Sequence, residues 1–187
     1  MPPDVAHECA RIAALLPSQS VKRVTPELMH LTLAFIGWAP DGAVAKAAGA
    51  LRSGLADEAA FRCRLGEVGA FPAQARPRVI WVGLSEGADG VNRSAVAARD
   101  ALRAAGVAFD EKPPVAHLTV GRVRDGISSA DRDVIAGIVR SARAESRDFD
   151  IGEVVLFESR LARAGPTYIP LERISLARRL PSPRPER

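Results

Sequence analysis

The chain has 187 residues, of which 47% are hydrophobic and 26% charged, which excludes wholesale disorder and suits one folded domain. No stretch approaches the roughly 18 uninterrupted apolar residues of a membrane span, and the first residues lack the basic and then apolar run of a secretion signal. These features predict a cytoplasmic protein without a membrane partner. The two cysteines, Cys9 and Cys63, suit a reducing compartment and are expected in the core.

The net charge of +4 lies mainly at the carboxyl terminus. Residues 178–187 contain four arginines and one glutamate, which leaves residues 1–177 close to neutral. A near-neutral body argues against long electrostatic tracking along RNA and favours recognition of a nucleic-acid end or a small molecule. The tail is rich in proline and is predicted to be disordered.

Apolar residues at helical spacing predict four helices, over residues 4–16, about 41–55, 91–105 and about 128–143. The first helix places His7 on an exposed flank and ends at Pro17, and the third ends at Gly106. The residues expected on their buried faces are Val5, Cys9, Ile12 and Leu16 in the first helix and Val91, Ala95, Ala98 and Leu102 in the third.

Strands are predicted between these helices where β-branched and aromatic residues concentrate. They cover residues 30–36, 61–70, 78–84, 116–123, 149–157 and 167–176. Glycine and proline cluster in the predicted loops at 72–77, 111–114 and 161–166.

An internal repeat is the strongest signal in the sequence. His30-Leu31-Thr32-Leu33 recurs as His117-Leu118-Thr119-Val120, and a nearly constant offset aligns Phe71 with Phe157 and Trp81 with Tyr168. The repeat predicts one α+β domain over residues 1–177, built from repeat units of about 1–84 and 85–177. Its two pseudo-twofold-related lobes would be mainly antiparallel sheet, with outer helices and a central cleft. An equivalent of strand 78–84 before the first helix would fall upstream of Met1, so the repeat also predicts a further strand there.

The repeated motif has the residues for acid–base chemistry. In a strand, residues two apart point to the same side, so His30 shares a face with Thr32, and His117 with Thr119. Two imidazoles flanking a ligand form an acid–base pair near neutral pH, and the hydroxyls can donate to anionic oxygens. This combination suits attack on a phosphodiester, in which one histidine activates water and the other protonates the leaving oxygen.

Metal and cofactor motifs are not found in the sequence. Catalytic zinc usually takes three protein ligands, and neither motif histidine has an HxH, HExxH or neighbouring carboxylate pattern. No glycine-rich phosphate loop is present either. We therefore expect no metal and no cofactor.

The residues resemble the 2H phosphoesterase superfamily, which is named for two H-x-T-x motifs. Within it the chain is most similar to the RNA 2′,3′-cyclic phosphodiesterases, also called 2′-5′ RNA ligases. The resemblance covers residues 2 to about 177. It rests on both motifs with their flanks, on Arg78-Val79-Ile80-Trp81-Val82-Gly83-Leu84, and on Val155-Leu156-Phe157-Glu158-Ser159-Arg160-Leu161 with the following Gly165 and Tyr168.

This resemblance implies metal-free hydrolysis of a terminal 2′,3′-cyclic phosphate to a 2′-phosphate. It assigns His30 as the proton donor to the leaving 3′ oxygen and His117 as the proton acceptor that activates water. Thr32 and Thr119 would bind the phosphate oxygens, and Arg122 would balance the remaining charge. Arg78 and Arg76 are weaker candidates for substrate binding.

Other functions are compatible with the same residues. The substrate could be a small cyclic nucleotide phosphate, such as ADP-ribose 1″,2″-cyclic phosphate, instead of an RNA end. A module that binds phosphate ends without turnover is a third possibility. We expect RNA ends or small nucleotides as partners and a monomeric protein.

Overall fold

The structure is a computed structural model that describes residues 1–112, 114–162 and 165–177. Within these ranges it contains four α-helices: α1 (Pro3–Leu15), α2 (Asp41–Gly54), α3 (Ala88–Ala104) and α4 (Ser129–Ser141). A short 3-10 helix covers Pro26–Leu28. The four predicted helices are confirmed, with ends that differ from the predictions by at most three residues. The predicted disorder of residues 178–187 lies outside the described residues.

Seven strands are described, namely β1 (Val21–Arg23), β2 (Phe61–Phe71), β3 (Val79–Glu86), β4 (His117–Val123), β5 (Asp148–Ile151), β6 (Glu153–Ala162) and β7 (Gly165–Ser175). The first five form one sheet in the order β1-β4-β3-β2-β5, and β6 and β7 form a second. The pairings β1–β4, β2–β3, β3–β4 and β6–β7 are antiparallel. The α+β class with mainly antiparallel sheet is therefore confirmed.

The prediction of a strand at residues 30–36 is wrong. A strand requires a ladder of hydrogen bonds to a neighbour, and residue periodicity does not report whether such a neighbour exists. Among the described residues, the backbone of this segment has one such bond to a distant part of the chain, from Asp110 N to Phe35 O at 2.8 Å. The segment that carries His30 is therefore held as an irregular stretch outside both sheets.

The predicted strand at 149–157 is two strands. Gly152 separates β5 from β6, and the two strands pair in different sheets. The carbonyl of Gly152 accepts a hydrogen bond from Leu176 N at 2.9 Å. An isolated glycine inside a strand pattern is typical of a bulge or a close backbone approach, but it does not indicate that the two halves of the segment pair in different sheets.

The chain divides into two compact units, each assembled from separate segments. Unit 1 combines Met1–Leu33, Arg62–Asn92 and Lys112–Phe149. Its core contains side chains that are at most 2% exposed, from α1 (Val5, Cys9, Ile12), from β3 and β4 (Ile80, Val82, Leu118, Val120) and from α4 (Ile135, Val139). Both cysteines are buried, as predicted, and burial raises the pKa of the Cys9 thiol to about 12.

Unit 2 combines Ala34–Phe61, Arg93–Glu111 and the described residues from Asp150 onward. Its core consists of Ala47, Leu51 and Leu55 from α2, Ala98 and Leu102 from α3, and Val107 and Ile174. Gly54 allows the close approach of α2 to α3, because a Cβ there would lie 2.4 Å from the Cβ of Ala101. Both units contain segments of both sequence repeats, and a single bilobal domain over residues 1–177 stays a prediction.

Candidate active site

Strand β4 presents His117 and Thr119 on one face of the five-stranded sheet. Leu118, between them, is 2% exposed and belongs to the core on the other face. Thr119 pairs directly with Trp81 of β3, and directly paired residues share a face of the sheet. All of these residues belong to unit 1. We call the surface that carries His117, Thr119 and Trp81 the histidine face.

A β-bulge adds Arg122 to the histidine face. Simple alternation from Thr119 would direct Arg122 to the core side. The β3–β4 pairing shifts by one residue after Thr119, so Val120 and Gly121 are both buried and the alternation restarts one residue later. Arg122 therefore points to the same side as His117, and its side chain is exposed.

The two motif histidines make the same local hydrogen bond. His30 Nδ1 lies 2.8 Å from the carbonyl oxygen of Leu28, and His117 Nδ1 lies 2.7 Å from the carbonyl oxygen of Val115. A carbonyl oxygen can only accept, so Nδ1 carries the proton in both rings. This arrangement assigns Nε2 of each imidazole as the nitrogen that can exchange a proton with a ligand.

The surroundings of His117 favour its neutral form. Burial lowers the pKa of the imidazole, while the hydrogen bond to Val115 opposes this effect. The charges of Arg122 and His30 lower the pKa further, so both side chains lie within electrostatic reach of His117. His30 itself is exposed. A neutral His117 next to a second imidazole is suited to accept a proton near neutral pH.

Two aromatic residues hold the ring of His117. Phe71 meets it edge-on, with ring centroids 5.1 Å apart and an angle of 82° between the planes. The ring centroid of Trp81 lies 6.3 Å from that of His117 and 5.4 Å from that of Phe71. The indole covers Gly69, where a Cβ would lie 2.2 Å from the ring. The glycine thus permits the position of the indole, and the aromatic pair supplies the apolar contact that partly buries His117.

The role of Phe71 beside His117 was missed in the sequence analysis, although the repeat contained the signal. The repeat aligns Phe71 with Phe157 and Trp81 with Tyr168. In unit 2 the second pair is also in contact, with ring centroids 5.9 Å apart. An aromatic pair that recurs at the repeat offset was therefore detectable before its contact with a histidine was known.

The remaining predicted residues occupy different surroundings. Thr32 is half-buried in unit 1, two residues after His30. Arg78 precedes β3, and its Nη2 lies 3.7 Å from Oδ1 of Asp125, so its described contact is with a carboxylate instead of the motif residues. Arg76 is exposed in the loop between β2 and β3. The third histidine, His7, is exposed on α1, as predicted.

The described residues contain no group of three or more His, Cys, Asp or Glu side chains placed to hold a metal ion. In the same ranges, no helix is long and apolar enough to cross a membrane. The histidine face instead combines a neutral imidazole, a hydroxyl and a guanidinium, with a second imidazole in electrostatic reach. These are the groups with which a phosphoesterase handles an anionic phosphate and moves protons.

Comparisons with known proteins agree with this class. The family model of the 2′-5′ RNA ligase superfamily matches residues 1–163. A protein of Archaeoglobus fulgidus named RNA 2′,3′-cyclic phosphodiesterase is 34% identical over 149 residues, which cover 79% of this chain and 80% of the relative. A protein of the same name from Aquifex aeolicus is 29% identical over 157 residues, with coverages of 83% and 81%. The chain belongs to the 2′-5′ RNA ligase superfamily, a family of 2H phosphoesterases, as its motifs indicated.

Solved structures share the fold. A protein of Thermus thermophilus matches with a TM-score of 0.75 at 24% identity, over 94% of this chain and 93% of that chain. E. coli LigT complexed with 3′-AMP matches with a TM-score of 0.75 at 21% identity and the same coverages. At these identities the similarity concerns the arrangement of helices and strands.

Proposed function

We propose that the protein hydrolyses the terminal 2′,3′-cyclic phosphate of RNA to a 2′-phosphate, with His117 as general base and His30 as general acid. The observation that carries the proposal is that both motif histidines make the same hydrogen bond from Nδ1 to a backbone carbonyl oxygen, which makes Nε2 the atom through which each imidazole accepts or donates a proton. The relatives named RNA 2′,3′-cyclic phosphodiesterase support the substrate, and the 3′-AMP bound to E. coli LigT agrees with a nucleotide ligand.

The reaction begins with water next to the cyclic phosphate. Nε2 of neutral His117 accepts a proton from this water as its oxygen attacks phosphorus. The bond from phosphorus to the 3′ oxygen breaks, and protonated Nε2 of His30 donates its proton to that oxygen. The product is a 2′-phosphate and a free 3′-hydroxyl, and one further proton exchange between the imidazoles and solvent restores the starting state.

Charge stabilisation comes from residues beside the two histidines. The attack places additional negative charge on the non-bridging phosphate oxygens, and charged or oriented donors stabilise such charge best where water is scarce. Arg122 supplies a permanent cation on the histidine face, and the hydroxyls of Thr119 and Thr32 can each donate one hydrogen bond. Arg78 remains a weaker candidate because it already faces Asp125.

The test measures hydrolysis of a cyclic-phosphate oligoribonucleotide in EDTA by the wild type and by His30→Ala, His117→Ala and His7→Ala. We expect each motif variant to lose at least about 10²-fold in rate, the usual contribution of a general acid or base. His7→Ala is the matched control, because this exposed histidine should have no effect. Thr32→Ala and Thr119→Ala should be milder, since each removes one hydrogen bond to a charged group, worth about 1.5–3 kcal/mol.

Full activity in either motif variant would refute the two-histidine mechanism. Loss of wild-type turnover in EDTA, restored by zinc or manganese, would contradict the assignment of both proton transfers to histidine. Binding of the oligonucleotide without turnover would favour a binding module. Turnover of ADP-ribose 1″,2″-cyclic phosphate in preference to RNA ends would favour a small-molecule phosphodiesterase.

A further inference from the structure

The first motif lies on a stretch of chain that is anchored on either side. Before it, Met29 is 6% exposed and belongs to the core. After it, the carbonyl oxygen of Phe35 accepts the hydrogen bond from Asp110 N at 2.8 Å. Residues 30–33, between these anchors, lie outside both described sheets. Without a ladder of its own, this stretch depends on its two anchors for the position of His30.

The second anchor belongs to the core of unit 2. Three partly buried side chains pack against that core, namely Ala34 and Ile36 from the motif segment and Phe109 from the loop of residues 107–111. The side chain of Phe35, between the first two, is 65% exposed, as expected for an extended segment with alternating sides. The loop and the motif segment therefore share one support.

Arg99 of α3 fixes this loop at two points. Its Nη2 donates to the carbonyl oxygen of Glu111 at 2.6 Å, and its Cζ lies 5.0 Å from the ring centroid of Phe109. Asp110, whose N–H holds Phe35, lies between these two contacts in the chain. Arg99 is 9% exposed, so little water competes for either contact, and both are stronger than they would be at the surface.

Arg103, one turn further along α3, adds weaker support to the same loop. Its Nη2 donates to Oε2 of Glu111 at 3.0 Å, and its Cζ lies 5.2 Å from the ring centroid of Phe109. Its side chain is 52% exposed, so water weakens both contacts. An apolar side chain in the place of Arg99 would lose the bond to the backbone carbonyl of Glu111. The position of the loop therefore depends chiefly on Arg99.

We propose that Arg99 is a positioning residue for the first motif. It fixes the loop whose Asp110 N–H holds Phe35, and it thereby determines where His30 presents Nε2 to the substrate. This inference rests on the proposed function, in which His30 is the general acid. A misplacement of about 1 Å at a catalytic group can lower the rate by about 10²-fold, so a residue that touches no substrate controls the rate through this anchor.

Nuclear magnetic resonance of the imidazoles tests the positioning without substrate. The chain has three histidines, so single His→Ala variants assign their ¹H–¹³C signals. Arg99→Met should shift the signal of His30 and leave that of exposed His7 in place. Arg93→Met is the matched control, because Arg93 is an exposed arginine of the same helix, and it should leave both signals unchanged. A His30 signal that stays at its wild-type position in Arg99→Met would overturn the proposal.

Kinetics separate positioning from general destabilisation. Under conditions where each variant is folded, Arg99→Met should lower kcat for the cyclic-phosphate oligoribonucleotide by at least about tenfold, with KM within about twofold of the wild-type value. In a His30→Ala background the same substitution should lower kcat by at most about twofold, because the group that it positions is gone. A merely structural role would lower kcat by the same factor in both backgrounds, and that result would overturn the proposal.

Two substitutions at Asp110 test the link without changing Arg99. Alanine and proline both remove the carboxylate, but proline also removes the N–H that donates to Phe35. Asp110→Pro should therefore shift the His30 signal and lower kcat as Arg99→Met does, whereas Asp110→Ala should do neither. Equal behaviour of the two variants would overturn the link. A wild type that hydrolyses no cyclic phosphate, but whose His30 signal depends on Arg99 and on the Asp110 N–H, would refute the proposed function alone.

Discussion

Replacing Gly69 by alanine tests whether the indole of Trp81 positions the active site. The new Cβ would lie 2.2 Å from the indole carbon Cζ2, whereas ordinary van der Waals contact begins at 3.4 Å, so the ring must retreat by about 1.2 Å. An indole is rigid, and this one also lies against Phe71 and His117. The displacement should therefore be transmitted to the imidazole of His117.

The expected cost has two parts that different assays resolve. Overpacking of this size lowers the free energy of unfolding by about 1–3 kcal/mol, which urea denaturation measures. A misplacement of about 1 Å at a catalytic group can lower the rate by about 10²-fold, which hydrolysis of a cyclic mononucleotide measures under conditions where the variant is fully folded. Gly49→Ala is the matched control. A Cβ added at Gly49, which lies in α2, would meet no atom within 4 Å. The free energy of unfolding should therefore rise by about 0.5–1 kcal/mol, because alanine favours the helix more than glycine does.

A second substitution identifies the cause. Trp81→Phe removes the ring atoms that the new Cβ would meet, and the indole N–H has no hydrogen-bond acceptor among the described residues. Gly69→Ala combined with Trp81→Phe should therefore be more stable than the two separate losses predict. Strictly additive losses, or a Gly69→Ala variant with wild-type stability and rate, would refute the positioning role of Trp81.

Three further predictions follow from other contacts. Burial lowers the pKa of His117, so Phe71→Ala should expose the imidazole to water and raise this pKa. The acid limb of the plot of kcat/KM against pH should then move to higher pH. An acid limb at the wild-type position would contradict the role of Phe71 in burying His117. The buried carboxylate of Glu8 has a lowered pKa, chiefly through its hydrogen bonds to Arg11, so its stabilisation is complete above the ordinary glutamate pKa and is lost as the pH falls. Glu8→Gln should lower the free energy of unfolding by about 1.5–3 kcal/mol at pH 7, and the stability of the variant should depend less on pH in the acid range. Equal stability of the variant and the wild type at pH 7 would show that the Glu8–Arg11 pair contributes nothing. Ser128→Ala removes the N-cap side chain of α4, which accepts a hydrogen bond from Asp131 N at 3.1 Å. The free energy of unfolding measured by urea denaturation should fall by about 1 kcal/mol. An unchanged urea midpoint would show that the cap is dispensable.

Local patterns predicted most of the elements that surround the site. The buried faces of α1 and α3 follow directly from apolar spacing, and Gly106 ends α3 with a positive φ of 68°. The H-x-T-x repeat located His117 and Thr119 on one face of a strand. These features depend on residues a few positions apart, which is the range over which periodicity carries information.

The features that local patterns do not predict depend on pairing partners that are distant in sequence. Residues 30–36 have the composition of a strand, but they form no ladder of backbone hydrogen bonds with a neighbouring strand. Arg122 reaches the histidine face only because of the bulge after Thr119, and strict alternation would have assigned it to the core. Resemblance to the family identified Arg122 as a candidate, and only the strand register explains its position in physical terms.

Unit 1 is assembled from three segments that are separated in the sequence, and this has a consequence for protein synthesis. Val21 in β1 pairs with Val123 in β4, so about 100 further residues must be synthesised after β1 before its hydrogen bonds to β4 can form. Until then its unpaired edge is available to other chains. Pairings this far apart in sequence also slow folding. Fragments that end between the two repeats should therefore be aggregation-prone during expression, and attempts to produce either repeat as an independent protein should fail at the folding step.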